Sequence, residues 1–269
     1  MKFSSTEKHL QSLLLASLLF INSAVAEEAV SPPFTDIMLD DIQHVLTEPS
    51  RWKTQEWVNF GWASLAVVGT AVLIDTPLRD AMHQPAPNNS FMLNIQRFGA
   101  DYSIVVVGGF YLAGKLSDND TAIKVAQDGL TASIIASGLI TPAIKIATGR
   151  SRPYEDVGSN SFQGLGANKL NSSFPSGHTT EAFALASVIS SHYEETWIKC
   201  SAYTVATLVG VARIYNDAHF ASDVLAGALI GNWVGQSVVS HKQVFRNTNT
   251  VVIPEASQDL IGLRLTGNF

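Results

Sequence analysis

Cysteine is almost absent from this chain: Cys200 stands alone among 269 residues, so no intrachain disulfide can form and the fold must rest on its core. Charge is scarce as well. Asp, Glu, Lys and Arg make up 15% of the sequence against 46% hydrophobic residues, a low share for a freely soluble protein. Cations are the minority, 17 Lys and Arg against 23 Asp and Glu for a net charge of −6. With no basic stripe to neutralise a phosphate backbone, nucleic acid is excluded as a partner. No His, Cys or carboxylate cluster occurs at metal-ligand spacing, so neither a metal nor another cofactor is expected. Long apolar runs are short of the mark too. The longest charge-free one, Trp57 to Ile74, sits at the lower edge of the roughly 17 to 25 residues that span a bilayer, and Asn59 interrupts it. Lys145, Asn232 and Gln236 break other candidates. The composition favours a membrane bundle and the interruptions favour a core packed in water; the expectation is membrane association.

What is present is mostly helical pattern. Apolar periodicity predicts six helices, over Trp57 to Ile74, Tyr102 to Leu116, Thr121 to Ala147, Thr179 to His192, Trp197 to Ile214 and Ala221 to Ser240. The fold class is therefore all-α, a single bundle of about six helices. Asp75-Thr76-Pro77 and Gln84 to Asn89 mark breaks, and Ser151 to Phe174, rich in Gly, Asn and Ser, reads as a long loop beside any site. Small residues crowd the helices, as in Ala226-Gly227-Ala228-Leu229-Ile230-Gly231, which implies close helix packing.

The amino-terminal stretch has the form of an export signal. Lys2 and Lys8 precede the apolar run Leu13 to Ile21, and Ala24-Val25-Ala26 fits a small-residue cleavage site. The expected organisation is a signal peptide over 1–26, an acidic loop-rich segment over 27–56, a helical domain over 57–242, and a tail or small hairpin over 243–269. The expected location is the periplasm or cell envelope.

Three short blocks hold the chemistry: Lys145 followed six residues later by Arg152-Pro153, then Pro175-Ser176-Gly177-His178, then Arg213, His219 and Asp223. A phosphoryl group near its transition state spreads charge over three oxygens, so catalysis is mostly fixed cations and fixed donors. Lys145, Arg152 and Arg213 supply the cations, and the planar fork of Arg grips two oxygens at once. Ser176-Gly177-His178 opens an apolar-periodic stretch, placing it at a helix N-terminus where backbone N–H groups favour an anion. If the third block is helical, His219 and Asp223 share a face, and the carboxylate orients the imidazole as an unprotonated nucleophile. His178 is then the general acid.

These blocks, in this order, resemble the signature of the phosphatidic acid phosphatase type 2/haloperoxidase superfamily, over Lys145 to Asp223. The resemblance implies that Lys145, Arg152, Ser176, Gly177 and Arg213 bind phosphate, that His219 attacks phosphorus, that Asp223 orients it and that His178 protonates the leaving group. Ala212 stands where many members have Ser, which removes one auxiliary hydrogen bond. The spacing to Pro153 selects Arg152 over Arg150, which reads as a rim or solvated charge. His44, His83, His192 and His241 read as structural, Asp217 as a turn residue, and Asp75 to Arg79 as a helix end with a loop rather than a second site.

The implied activity is metal-independent hydrolysis of a phosphomonoester through a phosphohistidine. The expected substrate is a lipid phosphate such as phosphatidate, phosphatidylglycerol phosphate, or a polyprenyl or lipid A phosphate. A soluble periplasmic acid phosphatase acting on small monoesters is the first alternative. A vanadium-dependent haloperoxidase is disfavoured by the short chain, and a non-catalytic phosphate-binding membrane protein by the histidine pair, which pure binding does not need.

Overall fold

The computed structural model describes residues 33–82, 89–165, 172–247, 251–257 and 260–266; the expected signal peptide and His83 lie outside them. The chain divides into two units, Met1–Ile37 and Met38–Phe269. Among the described residues nine helices follow one another: α1 Phe34–Thr47, α2 Thr54–Leu73, α3 Asp75–Met82, α4 Ser90–Ile95, α5 Asp101–Leu116, α6 Asp120–Thr148, α7 Gly177–His192, α8 Thr196–Tyr215 and α9 Ala221–Asn247. Two strands, β1 Val251–Ser257 and β2 Leu260–Thr266, then pair antiparallel, Val251 opposite Thr266. The all-α bundle is as expected, with a helix count above six. The segment 27–56 is not loop-rich throughout, because Phe34–Thr47 is helical, with Asp41 and Val45 on its buried face.

Side-chain chemistry sets the helix ends. Asn89 and Asn119 cap α4 and α6 by accepting N–H bonds from Phe91 and Met92, and from Ala122. Within α6 the chain widens into a π segment, Ile134–Ile140, just before Pro142. Proline removes one N–H and its ring crowds the carbonyl four residues back, and the wider turn relieves that crowding. Gly149 stops α6 in the left-handed conformation at φ 57°, and a Cβ there would lie 2.7 Å from the Gly164 carbonyl oxygen, so glycine is required on two counts.

Helix α7 is the centre of the bundle, packed on α8, α9 and α6. Its residues are apolar or small nearly all round, and Thr179 to Val188 are buried apart from Phe183, as expected of a helix surrounded by others. Gly227, Gly231 and Gly235 repeat every fourth residue along α9 and face α7. A Cβ at Gly231 would fall 2.2 Å from the Thr180 carbonyl oxygen and one at Gly235 2.7 Å from that of Ala184. The glycines therefore bring α9 backbone onto α7 backbone, which the crowding of small residues predicted. Val125, Ile135, Val188, Val234 and Val238 fill the space between α6, α7 and α9.

The outer helices are the reverse. No residue of α2 is buried, and Trp57, Phe60, Trp62, Leu65, Val72 on α2 and Ile104, Val105, Leu112 on α5 are exposed. Among the described residues α6, 29 residues with a mean hydropathy of 1.6 in its most apolar window, is long and apolar enough to cross a membrane; α2 and α3, bent by 55°, pass the same test taken together.

Candidate active site

All eight residues singled out in the sequence converge at one end of α7. Ser176 is the residue before the helix, with Gly177 and His178 in its first turn. Lys145, on the last turn of α6, donates to the Ser172 carbonyl oxygen. Arg152 stands just before the short 3-10 turn Pro153–Glu155, its Nη1 3.4 Å from the Ala218 carbonyl oxygen. Arg213 lies on the last turn of α8, and its Nε is buried without a hydrogen-bond partner. His219 belongs to the turn between α8 and α9, and Asp223 to the first turn of α9.

The spacing from Arg213 to His219 comes from how α8 ends. The N–H of Ala218 bonds the Arg213 carbonyl at 3.1 Å and that of Asp217 bonds the Ile214 carbonyl at 2.9 Å, with Asp217 left-handed at φ 53°; this is a Schellman ending with an aspartate in the place glycine usually takes. His219 N–H also reaches the Arg213 carbonyl, at 3.2 Å. Cation and imidazole are thus tied through one turn. Asp217 is a turn residue as expected, and its carboxylate accepts Arg79 Nε at 2.7 Å and Nη2 at 2.9 Å. Asp75 to Arg79 is therefore a helix that delivers charged groups to the site, contrary to its reading as a mere helix end.

The His219/Asp223 relation differs from expectation in kind. His219 is outside the helix, and its Nδ1 lies 3.6 Å from Asp223 Oδ2, close but beyond a hydrogen bond. Oδ2 instead accepts the Phe220 N–H at 2.8 Å, a contact that fixes the carboxylate as α9 begins. His219 is 3% exposed and its pKa is pushed well down, first by burial and then by the charges of Arg213, Lys145, Arg152 and His178. The imidazole is therefore neutral, as a nucleophile requires. His178 is pushed down to about 4, by burial and then by Arg213 and Arg152.

Arg150 is the largest correction. Read as a rim charge, it is 1% exposed: Nη1 reaches Asp223 Oδ1 at 2.5 Å and Ser222 Oγ at 2.7 Å, Nη2 reaches Asp75 Oδ2 at 2.7 Å, and Nε donates to the Ser159 carbonyl at 3.0 Å. Its guanidinium lies over the Phe220 ring, 4.4 Å from the centroid. Gln96 was also missed. Its Oε1 accepts Arg213 Nη1 at 2.5 Å and Asn216 Nδ2 at 2.9 Å, in a turn pressed so close that a Cβ on Gly99 would overlap the His178 carbonyl. A charge at the end of an apolar run was the available signal for Asp75; Gln96 has none.

Among the described residues, the histidines outside the site are held structurally, as read for His44, His192 and His241: His192 Nε2 is 2.8 Å from Asp128 and His241 Nδ1 2.9 Å from Asp41, while His44 stacks on His241 at 3.8 Å. Among the described residues no three His, Cys, Asp or Glu side chains gather as metal ligands would.

Residues 129–247, which include all eight site residues, match the profile of the PAP2 superfamily. A lipid A 1-phosphatase of Rhizobium johnstonii is 29% identical over 201 residues, 69% of this chain and 78% of the relative. Lipid phosphate phosphatase 1 of Arabidopsis thaliana is 31% identical over 147 residues, 44% of each chain. The crystal structure of Aquifex aeolicus LpxE is 25% identical, covering 62% of this chain and 95% of that one at a TM-score of 0.46. The three blocks gathered around the start of α7 thus lie inside residues 129–247, the part of the chain that is similar to the PAP2 superfamily.

Proposed function

We propose that this protein hydrolyses a lipid phosphate monoester through a phosphohistidine on His219. The carrying observation is a buried, neutral His219 beside Asp223, facing Lys145, Arg152 and Arg213 where α7 begins. The three cations and the first N–H groups of α7 grip the phosphoryl oxygens. The lone pair of His219 Nε2 forms the N–P bond as the bond from phosphorus to the ester oxygen breaks, and His178 gives that oxygen its proton. Water then attacks phosphorus, passing a proton to His178 and releasing inorganic phosphate from Nε2. Asp223 stabilises the imidazolium character that grows on His219 in the first step. In the free site, cations and burial disfavour a protonated His178; the negative charge of a phosphate ester offsets those cations, so substrate arms its own acid.

The lipid class rests on two supports. Relatives are named lipid A 1-phosphatase and lipid phosphate phosphatase. The exposed apolar faces of α2 and α5 also suit a membrane surface better than water. We place the active site on the periplasmic side of the envelope, in keeping with the export-type amino terminus. The test is trapping. His178→Ala, given a phosphate ester whose leaving group needs no proton, should accumulate acid-labile phosphohistidine, and His219→Ala should lose activity by several orders of magnitude. Near-normal turnover in His219→Ala would sink the mechanism. Phosphate release confined to small soluble monoesters, with none from phosphatidate or lipid A in mixed micelles, would replace the lipid reading with that of a soluble acid phosphatase.

A further inference from the structure

The mechanism uses Asp223 but leaves unexplained the most buried cation among the described residues, Arg150, and a carboxylate that arrives from a distant part of the chain. Arg150 and Asp75 are 1% exposed each, and Asp223 is completely buried. Asp75 comes from the bend between α2 and α3. Its Oδ1 accepts the Ser222 N–H at 2.8 Å and its Oδ2 the Ser222 hydroxyl at 2.6 Å, while Oδ2 also accepts Arg150 Nη2. Ser222 directly precedes Asp223. Asp75 thus grips both the cation that holds the carboxylate and the residue beside it.

We propose that Asp75 and Arg150 form a positioning clamp for the nucleophile: Arg150 takes Asp223 Oδ1, so that Oδ2 is turned toward His219, and Asp75 locks Arg150 and the first turn of α9 in that register. The inference rests on the phosphohistidine reading of the site. Division of labour between the two oxygens is what the geometry shows: one is spent on Arg150, the other on the Phe220 N–H with His219 Nδ1 beyond it at 3.6 Å. A guanidinium suits the task because its fork bonds two carboxylates and a hydroxyl at fixed angles, which an ammonium cannot match. Burial drives the Asp223 pKa up, and Arg150 foremost, then the Phe220 N–H and the Ser173 side chain, oppose that rise. Of the other charged or titratable groups, Lys145 from α6 lies within electrostatic reach of this carboxylate and His219 Nδ1 is 3.6 Å from it, while Arg152 from the following loop, His178 from α7 and Arg213 from α8 lie within reach of His219. Removing Arg150 alone leaves two buried carboxylates without their shared counter-charge, an expensive state.

The experiment compares Arg150→Gln, Arg150→Lys and Asp75→Asn with the wild type on p-nitrophenyl phosphate and on phosphatidate in detergent micelles, across pH, with circular dichroism as the folding check. Arg150→Gln should lower kcat about a hundredfold with KM within about threefold, and should move the acid limb of the kcat profile to higher pH, because Asp223 then protonates more readily. Arg150→Lys should keep the wild-type acid limb and recover part of kcat. Asp75→Asn, near-isosteric, should lower kcat about tenfold at unchanged KM, and it decides the matter if Arg150→Gln does not fold. An unmoved acid limb in Arg150→Gln, or wild-type kcat in Asp75→Asn, overturns the clamp. Should the wild type release no phosphate from either substrate, the phosphatase reading fails. The clamp is then read from the carboxyl carbon of Asp223 by NMR titration: a midpoint raised in Arg150→Gln and not in Arg150→Lys supports it, and an unchanged midpoint overturns it.

Discussion

At the residue scale the site is a set of cations and imidazoles whose pKa values are lowered by burial and by one another. His178 is pushed down to about 4 by burial, Arg213 and Arg152, and Arg213 down to about 10 by burial and then Arg152. A lowered histidine pKa means that the acid form is present only at low pH in the free enzyme and is lost as pH rises through that value. Bound phosphate restores it. The alkaline limb of kcat/KM, which reports the free enzyme, should therefore lie about one pH unit or more below that of kcat, which reports the complex. Coincident limbs in a full pH series would argue that His178 is not the acid. Gln96 gives a second prediction at this scale. Without its carbonyl oxygen Arg213 loses the partner at 2.5 Å that orients it, so Gln96→Ala should lower kcat/KM about ten- to a hundredfold, the size of a hydrogen bond to a charged group. Unchanged kcat/KM on p-nitrophenyl phosphate would show that Arg213 is held well enough by the fold alone.

At the scale of elements, the contact between α7 and α9 matters most, because it fixes Ser176 to His178 against Asp223. Ser176 N–H bonds the Asp223 carbonyl at 3.0 Å, and a Cβ on Gly227 would lie 2.6 Å from the Ser176 carbonyl oxygen. Gly231→Ala should cost about 1–3 kcal/mol through overpacking, seen as a lower Tm, with activity falling alongside as the two helices part. Gly69→Ala on α2, where nothing lies within 4 Å, should instead leave Tm unchanged or raise it by relieving the helix of a glycine. Equal effects at the two positions would mean that the α7–α9 approach is not as tight as the glycine spacing requires.

At the scale of the whole molecule, a buried polar site is carried by a bundle whose outer helices expose aromatic and aliphatic side chains, among them Trp57, Trp62, Ile104 and Leu112. Such faces are stable against lipid or detergent and prone to association in water. The protein should sediment with the cell envelope and resist carbonate extraction; full release by osmotic shock would place these faces against a different partner. Activity should persist in EDTA and be inhibited by vanadate, since cations from Lys and Arg stabilise the charge on phosphorus. Loss in EDTA restored by a divalent ion, with lipid presentation controlled, would count against a site of this kind.

The sequence by itself determined the helical class, the order of the core helices and which residues could gather into one polar site, because apolar periodicity and motif spacing are local properties of the chain. Lys145, Arg152, Ser176-Gly177-His178, Arg213, His219 and Asp223 were legible in that way, and the fold gathers them at the start of α7. Only tertiary structure decided what holds them. Asp75 lies 75 residues from Arg150, and Gln96 lies 117 from Arg213, and no periodicity or spacing links positions so far apart. Arg150 read as solvated because a buried arginine is exceptional unless paired, and its partners arrive from α3 and α9. The left-handed Asp217 that sets the turn before His219 is likewise stabilised by Arg79, contributed from a remote helix. Local chemistry can be read along a chain, whereas buried charge is settled by whichever distant groups folding brings to neutralise it.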